Sequence, residues 1–173
     1  MDEKLQDIFS NINDWLKFAE AKSATLIACN GALIFGISRL ISSFDPKGGY
    51  LLYLLLILVL CILSIAICFL SIIPSLSMPW EKKPSGISDK DNLLYFSDIA
   101  KYTPLAYLNA LKDKLELKGS AFTGYQKDFS NQIIVNSVIA DRKYRAFQKA
   151  IWLTLAAVIS PVLAMSVFLF RAK

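Results

Sequence analysis

The chain has 173 residues, of which 55% are hydrophobic and only 19% charged, and it contains no histidine. A soluble domain is usually about 45–50% apolar and about 25% charged, so this composition favours a membrane protein. The missing imidazole excludes mechanisms that need a histidine base or ligand, and the three cysteines, Cys29, Cys61 and Cys68, lie in apolar segments without zinc or disulfide spacing.

Residues 1–22 are the first predicted element, an amphipathic cytoplasmic helix of mixed charge. Its apolar residues recur at helical spacing and continue without a break into the apolar segment 23–44: Ile8, Ile12, Trp15 and Phe18-Ala19. A secretory signal is excluded because the apolar run starts too late. Segment 23–44 is therefore predicted to be the first transmembrane helix.

The first predicted span carries small residues at four-residue spacing: Ala24, Ala28, Ala32 and Gly36. Such a stripe lets two helix backbones approach closely in lipid. The partner is either another helix of the same chain or a second copy in a homo-oligomer, and the sequence leaves both open. Asn30 lies off this stripe, and its amide serves either as a contact between helices or as part of a conduction path.

Two more spans are predicted at residues 51–73 and 150–170, and neither contains a charge. A helix of 23 residues is about 34 Å long, enough to cross a hydrocarbon core of about 30 Å. Three of the 19 basic residues precede the first span and twelve lie in residues 74–149. The positive-inside rule then places both segments in the cytoplasm, with Arg142-Lys143-Arg145-Lys149 as a topology anchor at lipid headgroups.

Residues 74–149 are predicted to form a cytoplasmic helical region behind a proline-rich linker. Three helices are expected there: one from Asp89 or Asp91 to Tyr102, one capped by Thr103 with Pro104 at its first position, and one that begins between Thr123 and Asp128. The last has no breaker before residue 150. The predicted fold class is an all-α membrane protein with three transmembrane helices and a helical cytoplasmic domain formed by long helices that extend from the membrane.

Three polar residues share one side of the last cytoplasmic helix: Gln132, Asn136 and Lys143. Amides suit the mixed donor and acceptor edge of a nucleobase, and an ammonium suits a phosphate. Aromatic rings on which a base can stack occur nearby in the predicted topology: Trp15, Phe18, Tyr95 and Phe96. The alternative is an ordinary solvated helix face. No nucleophile is paired with a base and the acidic residues form no metal pattern, so we expect neither an enzyme nor a metal site.

Four short motifs follow one another along the chain: Trp15-Leu16-Lys17-Phe18-Ala19-Glu20-Ala21-Lys22, Tyr95-Phe96-Ser97-Asp98-Ile99-Ala100, Asp128 with Gln132, and Arg142-Lys143-Tyr144. In this order, and with Pro74 at the end of the second span, they resemble the Pycsar effector domain family, the transmembrane effectors (PycTM) of Pycsar antiphage systems. Glu20 stands where an aspartate is common in that family.

The resemblance implies a multi-pass protein of the bacterial inner membrane that acts in antiviral defence. Its ligand would be a cyclic pyrimidine mononucleotide, cyclic UMP or cyclic CMP, made by a cognate nucleotidyl cyclase, and no nucleic acid polymer would be bound. Binding on the cytoplasmic side would lead to membrane disruption and abortive infection. Related effectors respond to cyclic oligonucleotides. The alternative from another class is a small structural or scaffolding membrane protein whose cytoplasmic helices bind a partner protein.

Overall fold

The structure, a computed structural model, describes residues 1–73, 86–117 and 121–171, without the side chains of residues 162–171. Every regular element in these ranges is a helix, which confirms the all-α prediction. The helices are α1 (Asp2–Phe44), α2 (Gly49–Ile72), α3 (Phe96–Ile99), α4 (Pro104–Lys114) and α5 (Gly124–Arg171). They form two compact units. The first unit comprises residues 1–20 with the described part of 74–144, and the second comprises residues 21–73 with the described part of 145–173.

Helix α1 is one uninterrupted helix, as predicted for residues 1–44. Asp2 and Glu3 lie in its first turn, where carboxylates interact favourably with the helix dipole. Its buried side chains follow a three- and four-residue alternation: Leu5, Ile8, Ile12, Ala19, Ser23, Leu26 and Asn30. The helix ends at Phe44 because Asp45 has a left-handed φ of 41° and is followed by a proline.

The turn between α1 and α2 is short, as the Asp45-Pro46-Lys47-Gly48-Gly49 sequence predicts. Gly48 has a φ of 62°, a conformation that residues with a side chain seldom adopt. Helix α2 buries one stripe of mostly small residues: Leu54, Ile57, Cys61, Ser64, Cys68 and Ser71. It exposes large aliphatic side chains on the other faces: Leu52, Leu56, Val59, Ile62, Leu63 and Leu70. A helix that is apolar all round with its large side chains outward is suited to a lipid environment.

The core of the first unit is formed by side chains from α1, α3, α4 and α5, with some from the loop before α3. Its fully buried members include Leu5, Ile12, Ile99, Leu108 and Ile133. Helix α4 begins as predicted, since Thr103 is the N-cap and accepts a hydrogen bond from the Ala106 N–H at 3.4 Å, with Pro104 at the first helical position.

The predicted helix from Asp89 or Asp91 to Tyr102 is wrong over most of its length, because only Phe96–Ile99 is helical. The cause is competition from side chains for backbone N–H groups. The Asp91 carboxylate accepts from the Ser88 N–H at 2.9 Å, and the Asn92 amide oxygen accepts from the Leu94 N–H at 3.0 Å. Such local bonds offer the backbone an alternative to the helical ladder.

Helix α5 begins at a reciprocal capping box. The Gln126 N–H donates to Thr123 Oγ1 and the Thr123 N–H donates to Gln126 Oε1, both at 3.2 Å. This confirms the predicted start, and the helix continues past Pro161 to Arg171.

Among the residues that the structure describes, two helices, α1 and α2, are long and apolar enough to cross a membrane by length and composition. The predicted third span, residues 150–170, lies in α5, but its side chains from residue 162 onward are outside the described residues, as is the proline-rich linker. The number of spans therefore stays a prediction.

Candidate functional site

Helices α1 and α5 run parallel in the first unit. Asn13 bonds to Asn136 and Glu20 bonds to Lys143, so that both pairs join residues 123 positions apart in the chain. On each helix the two paired residues are seven positions apart, which is about 10 Å along the helix axis. One amide pair and one ion pair thus join the two helices at points two helical turns apart.

The amide pair consists of Asn136, which is half-buried, and Asn13. Asn136 Nδ2 donates to Asn13 Oδ1 at 2.8 Å. An asparagine amide has two donor hydrogens and an oxygen with two lone pairs, so this single bond uses only part of the capacity of the pair. The pair can therefore offer both donors and acceptors to the edge of a planar ring.

The ion pair consists of Lys143 and Glu20, with 2.5 Å between Lys143 Nζ and Glu20 Oε1. The Lys143 side chain is only 9% exposed, whereas the Glu20 side chain is 52% exposed. A cation that is withdrawn from water needs an anion beside it, since an uncompensated buried charge is strongly unfavourable. Lys143 is consequently an anion-binding group, and in this structure its anion is a carboxylate.

An aromatic cluster lies in the first unit, made of Trp15, Tyr95, Phe96 and Tyr144. Phe96 stacks on Tyr144 with 4.9 Å between ring centroids and 17° between ring planes, and Trp15 lies 5.6 Å from Phe96. Tyr95 contacts Phe96 at 4.5 Å and is 41% exposed. Because Phe96 is buried, a base could stack on it only by displacing a ring, while Tyr95 is accessible from solvent. Burial raises the pKa of the Tyr144 phenol above its ordinary value.

Two predicted ligand-binding residues, Gln132 and Phe18, belong neither to these two pairs nor to the aromatic cluster. Gln132 lies one helical turn before Asn136 and lines an open depression of about 260 Å³. The other residues that line this depression are Tyr125, Asp128, Phe129 and Asn131. Phe18 is 52% exposed on α1. The structure thus brings Trp15 and Phe96 together, joins Asn136 and Lys143 to α1, and leaves Gln132 and Phe18 at the surface.

Sequence reasoning did not assign Asn13, Glu20 or Tyr144 to the site. The signal that could have found the first two is their spacing, since Asn13 and Glu20 are seven residues apart on α1, as are Asn136 and Lys143 on α5. Because the two spacings are equal, two parallel helices in a single register can form both pairs at once.

An ion network fixes the loop that carries Tyr95 and Phe96. Lys101 Nζ lies 2.8 Å from Asp91 Oδ1 and 2.7 Å from Asp98 Oδ1, and Asp98 also accepts from the Asn92 N–H. The hydrogen bond from Lys101 is the main cause that lowers the pKa of both carboxyl groups, and the two carboxylates in turn raise the pKa of Lys101. These acids are engaged in holding the loop.

In the second unit, three polar side chains form one buried layer. Asn30 Nδ2 donates to Thr154 Oγ1 at 2.9 Å and to Ser64 Oγ at 3.2 Å, and Ser64 and Thr154 hydroxyls are 2.9 Å apart. Apolar clusters lie on both sides of this layer, one containing Leu26, Cys68 and Ala150 and the other Leu33, Cys61 and Ala157. Of its two interpretations, Asn30 therefore fits the contact between helices.

The small-residue stripe of α1 is not packed against the side chains that the structure describes in the second unit. Ala24, Ala28, Ala32 and Gly36 are all exposed, and a Cβ added at Gly36 would meet no atom within 4 Å. The stripe is thus available to a partner outside the chain, and its role in an oligomer stays a prediction.

One family model matches the chain, that of the Pycsar effector protein domain, over residues 4–170. The matched range contains α1 to α4 almost completely and nearly all of α5. No curated protein and no solved structure gives a significant match. The family and the two long apolar helices make this a membrane protein. The chain belongs to the Pycsar effector domain family, and it is an effector of antiphage defence, not a cyclase.

Proposed function

We propose that this effector binds a cyclic pyrimidine mononucleotide, cyclic UMP or cyclic CMP, through its first unit and disrupts the bacterial inner membrane through its second. A cognate nucleotidyl cyclase would supply the ligand. The observation that carries the proposal is the alignment of an amide pair and a buried ammonium two helical turns apart on α1 and α5, the same two helices that supply Trp15 and Tyr144 to the aromatic cluster. Family membership supports the same function.

Each part of the site suits one part of such a ligand. The amides of Asn136 and of Gln132, one turn away, can pair with the oxygen and N–H groups on the edge of a pyrimidine. The Lys143 ammonium can bind the cyclic phosphate, and a ring such as Tyr95, Trp15, Phe18 or Phe96 can stack on the base. Together these contacts would recognise a single nucleotide without reading a polymer.

Two continuous helices carry both the proposed ligand residues and predicted spans. α1 contains Glu20 and the span 23–44, and α5 contains Asn136, Lys143 and the span 150–170. A ligand that binds one arrangement of these helices more tightly shifts the population toward it, and a difference of a few kcal/mol is enough. In our proposal the N-terminus is cytoplasmic, as the distribution of basic residues favours, and the shifted population compromises the lipid bilayer.

Ligand binding is tested by calorimetry on the detergent-solubilised full chain with cyclic UMP and cyclic CMP. We expect Lys143→Ala and Gln132→Ala each to weaken binding, Lys143→Ala by roughly ten- to hundredfold because a charge-assisted hydrogen bond contributes about 1.5–3 kcal/mol. The matched control is Lys127→Ala, which removes an exposed ammonium from the same helix. Unchanged affinity in both variants would place the site elsewhere, and no heat with either nucleotide would contradict the proposed ligand class.

Assembly through the exposed stripe is a second prediction, since three thin spans cannot enclose an aqueous path alone. We expect Ala32→Leu and Gly36→Leu each to prevent close approach of two α1 helices, and so to abolish both oligomers in native mass spectrometry and toxicity in cells. Ala66→Leu, at an exposed small residue of α2, is the control and should change neither. Normal assembly and killing by both stripe variants would mean that the stripe faces lipid only.

A further inference from the structure

The Glu20–Lys143 ion pair differs from the other ion pairs of α1. Lys4–Asp7 and Lys17–Asp14 join residues three apart in the same helix, and each of these side chains is at least 59% exposed. Exposed pairs of this kind contribute little to stability. Glu20–Lys143 instead joins two helices, and its ammonium is withdrawn from water.

The two side chains of this pair differ in how far they are exposed to water. The Glu20 carboxylate is half-exposed, so it can leave the pair and be solvated by water at little cost. The Lys143 ammonium is 9% exposed and cannot be solvated in place, so it keeps an anion beside it. Exchange of one anion for another at Lys143 is therefore easier than loss of the anion.

We propose that Glu20 holds the anion position at Lys143 in the ligand-free protein and that the phosphate of the ligand takes this position on binding. The proposal rests on the proposed function and adds the regulation of its site. Glu20 competes with the ligand and so sets the ligand concentration at which the effector responds. The exchange also breaks a direct bond between α1 and α5, two turns beyond the amide pair of Asn13 and Asn136.

The test is a comparison of calorimetric affinities for cyclic UMP and cyclic CMP between the wild-type chain and Glu20→Gln. Glutamine has nearly the same shape but no charge, and it leaves Lys143 with a neutral hydrogen-bond acceptor. Because neutral hydrogen bonds contribute about 1 kcal/mol less than charge-assisted ones, we expect affinity to increase by roughly five- to tenfold. Glu20→Asp keeps the charge and should bind within about threefold of wild type.

Asp14→Asn is the matched control, because it removes an exposed carboxylate of α1 that pairs only within its own helix. Its affinity should equal that of the wild type. Uridine, which lacks the phosphate, is the second probe, and its binding should not improve in Glu20→Gln. Improvement with the cyclic nucleotides alone would support the exchange.

Three outcomes would overturn the inference. Equal or weaker nucleotide binding by Glu20→Gln would show that Glu20 does not compete, while wild-type binding would leave the proposed function standing. Failure of Glu20→Gln to fold, seen by circular dichroism, would make the pair a purely structural contact. Absence of nucleotide binding by the wild-type chain would remove the proposed function and this inference together.

Discussion

Replacing Lys101 with methionine is expected to lower the melting temperature of the first unit by several degrees. Methionine is close to lysine in length but has no charge, so the change leaves Asp91 and Asp98 near each other without their shared cation. Removing one partner of a buried ion pair is strongly destabilising, because the remaining charge is uncompensated. The loop that carries Tyr95 and Phe96 would loosen first, and the proposed nucleotide binding should weaken with it.

The pH dependence of this effect follows from the direction of the shifts. The pKa values of Asp91 and Asp98 are lowered in the folded chain. Their contribution to stability is therefore fully present above the unfolded pKa of about 3.9, and is lost as the pH falls through the lowered folded values. The pKa of Lys101 is raised, so its contribution is lost only at high pH, as the pH rises from about 10.4 through the folded value.

Thermal unfolding followed by circular dichroism between pH 3 and pH 7 measures both effects. The difference between wild type and Lys101→Met should be largest at neutral pH and should shrink below about pH 4, where the carboxyl groups of the unfolded chain begin to take up protons and the contribution of the network begins to be lost. Lys90→Met, at an exposed lysine of the same loop, should melt like the wild type. Equal melting of Lys101→Met and wild type at pH 7 would show that the network contributes nothing.

Local sequence signals predicted the long helices because their causes are local. α1 has no breaker before Asp45, Thr103-Pro104 caps α4, and Thr123 caps α5 at the predicted place. The segment before α3 was mispredicted although its apolar residues recur at helical spacing. There the carboxylate of Asp91 and the amide of Asn92 bind backbone N–H groups, and this competition overrides the apolar pattern.

The contents of the site were only partly predictable, because they depend on pairing between distant helices. Asn136 and Lys143 stand out on α5 as polar groups on a partly apolar helix, but their partners Asn13 and Glu20 lie 123 residues away. A single sequence gives no register between two such helices. Phe96 lies in the aromatic cluster and its role toward a ligand stays a prediction, while its burial against Tyr144 is a property of the packed core and not of its own segment.

Replacing Asn30 with leucine is expected to destabilise the second unit although leucine is more apolar. Asn30 donates hydrogen bonds to Thr154 and Ser64 and accepts one from Thr154 at 3.1 Å, so all three helices of the unit meet at this amide. Bonds between helices in lipid contribute on average about 0.6 kcal/mol each and up to about 1.7, so loss of the two contacts should cost about 1–3 kcal/mol. Ser64 and Thr154 would keep each other and the Ala150 carbonyl as partners, which limits the loss.

Unfolding of the full chain by sodium dodecyl sulfate in mixed micelles measures this cost. Thr25→Val is the matched control, since the Thr25 hydroxyl bonds only to the Ala21 carbonyl of its own helix, and it should be neutral. A double-mutant cycle of Asn30→Leu with Thr154→Val isolates the contact between α1 and α5 and should give a favourable coupling energy. Stability of Asn30→Leu equal to or above that of wild type would mean that apolar packing by Leu26, Leu33 and their neighbours holds the helices without the polar layer. A coupling energy with Thr154 would locate the effect in the layer itself, because the two side chains are in direct contact there.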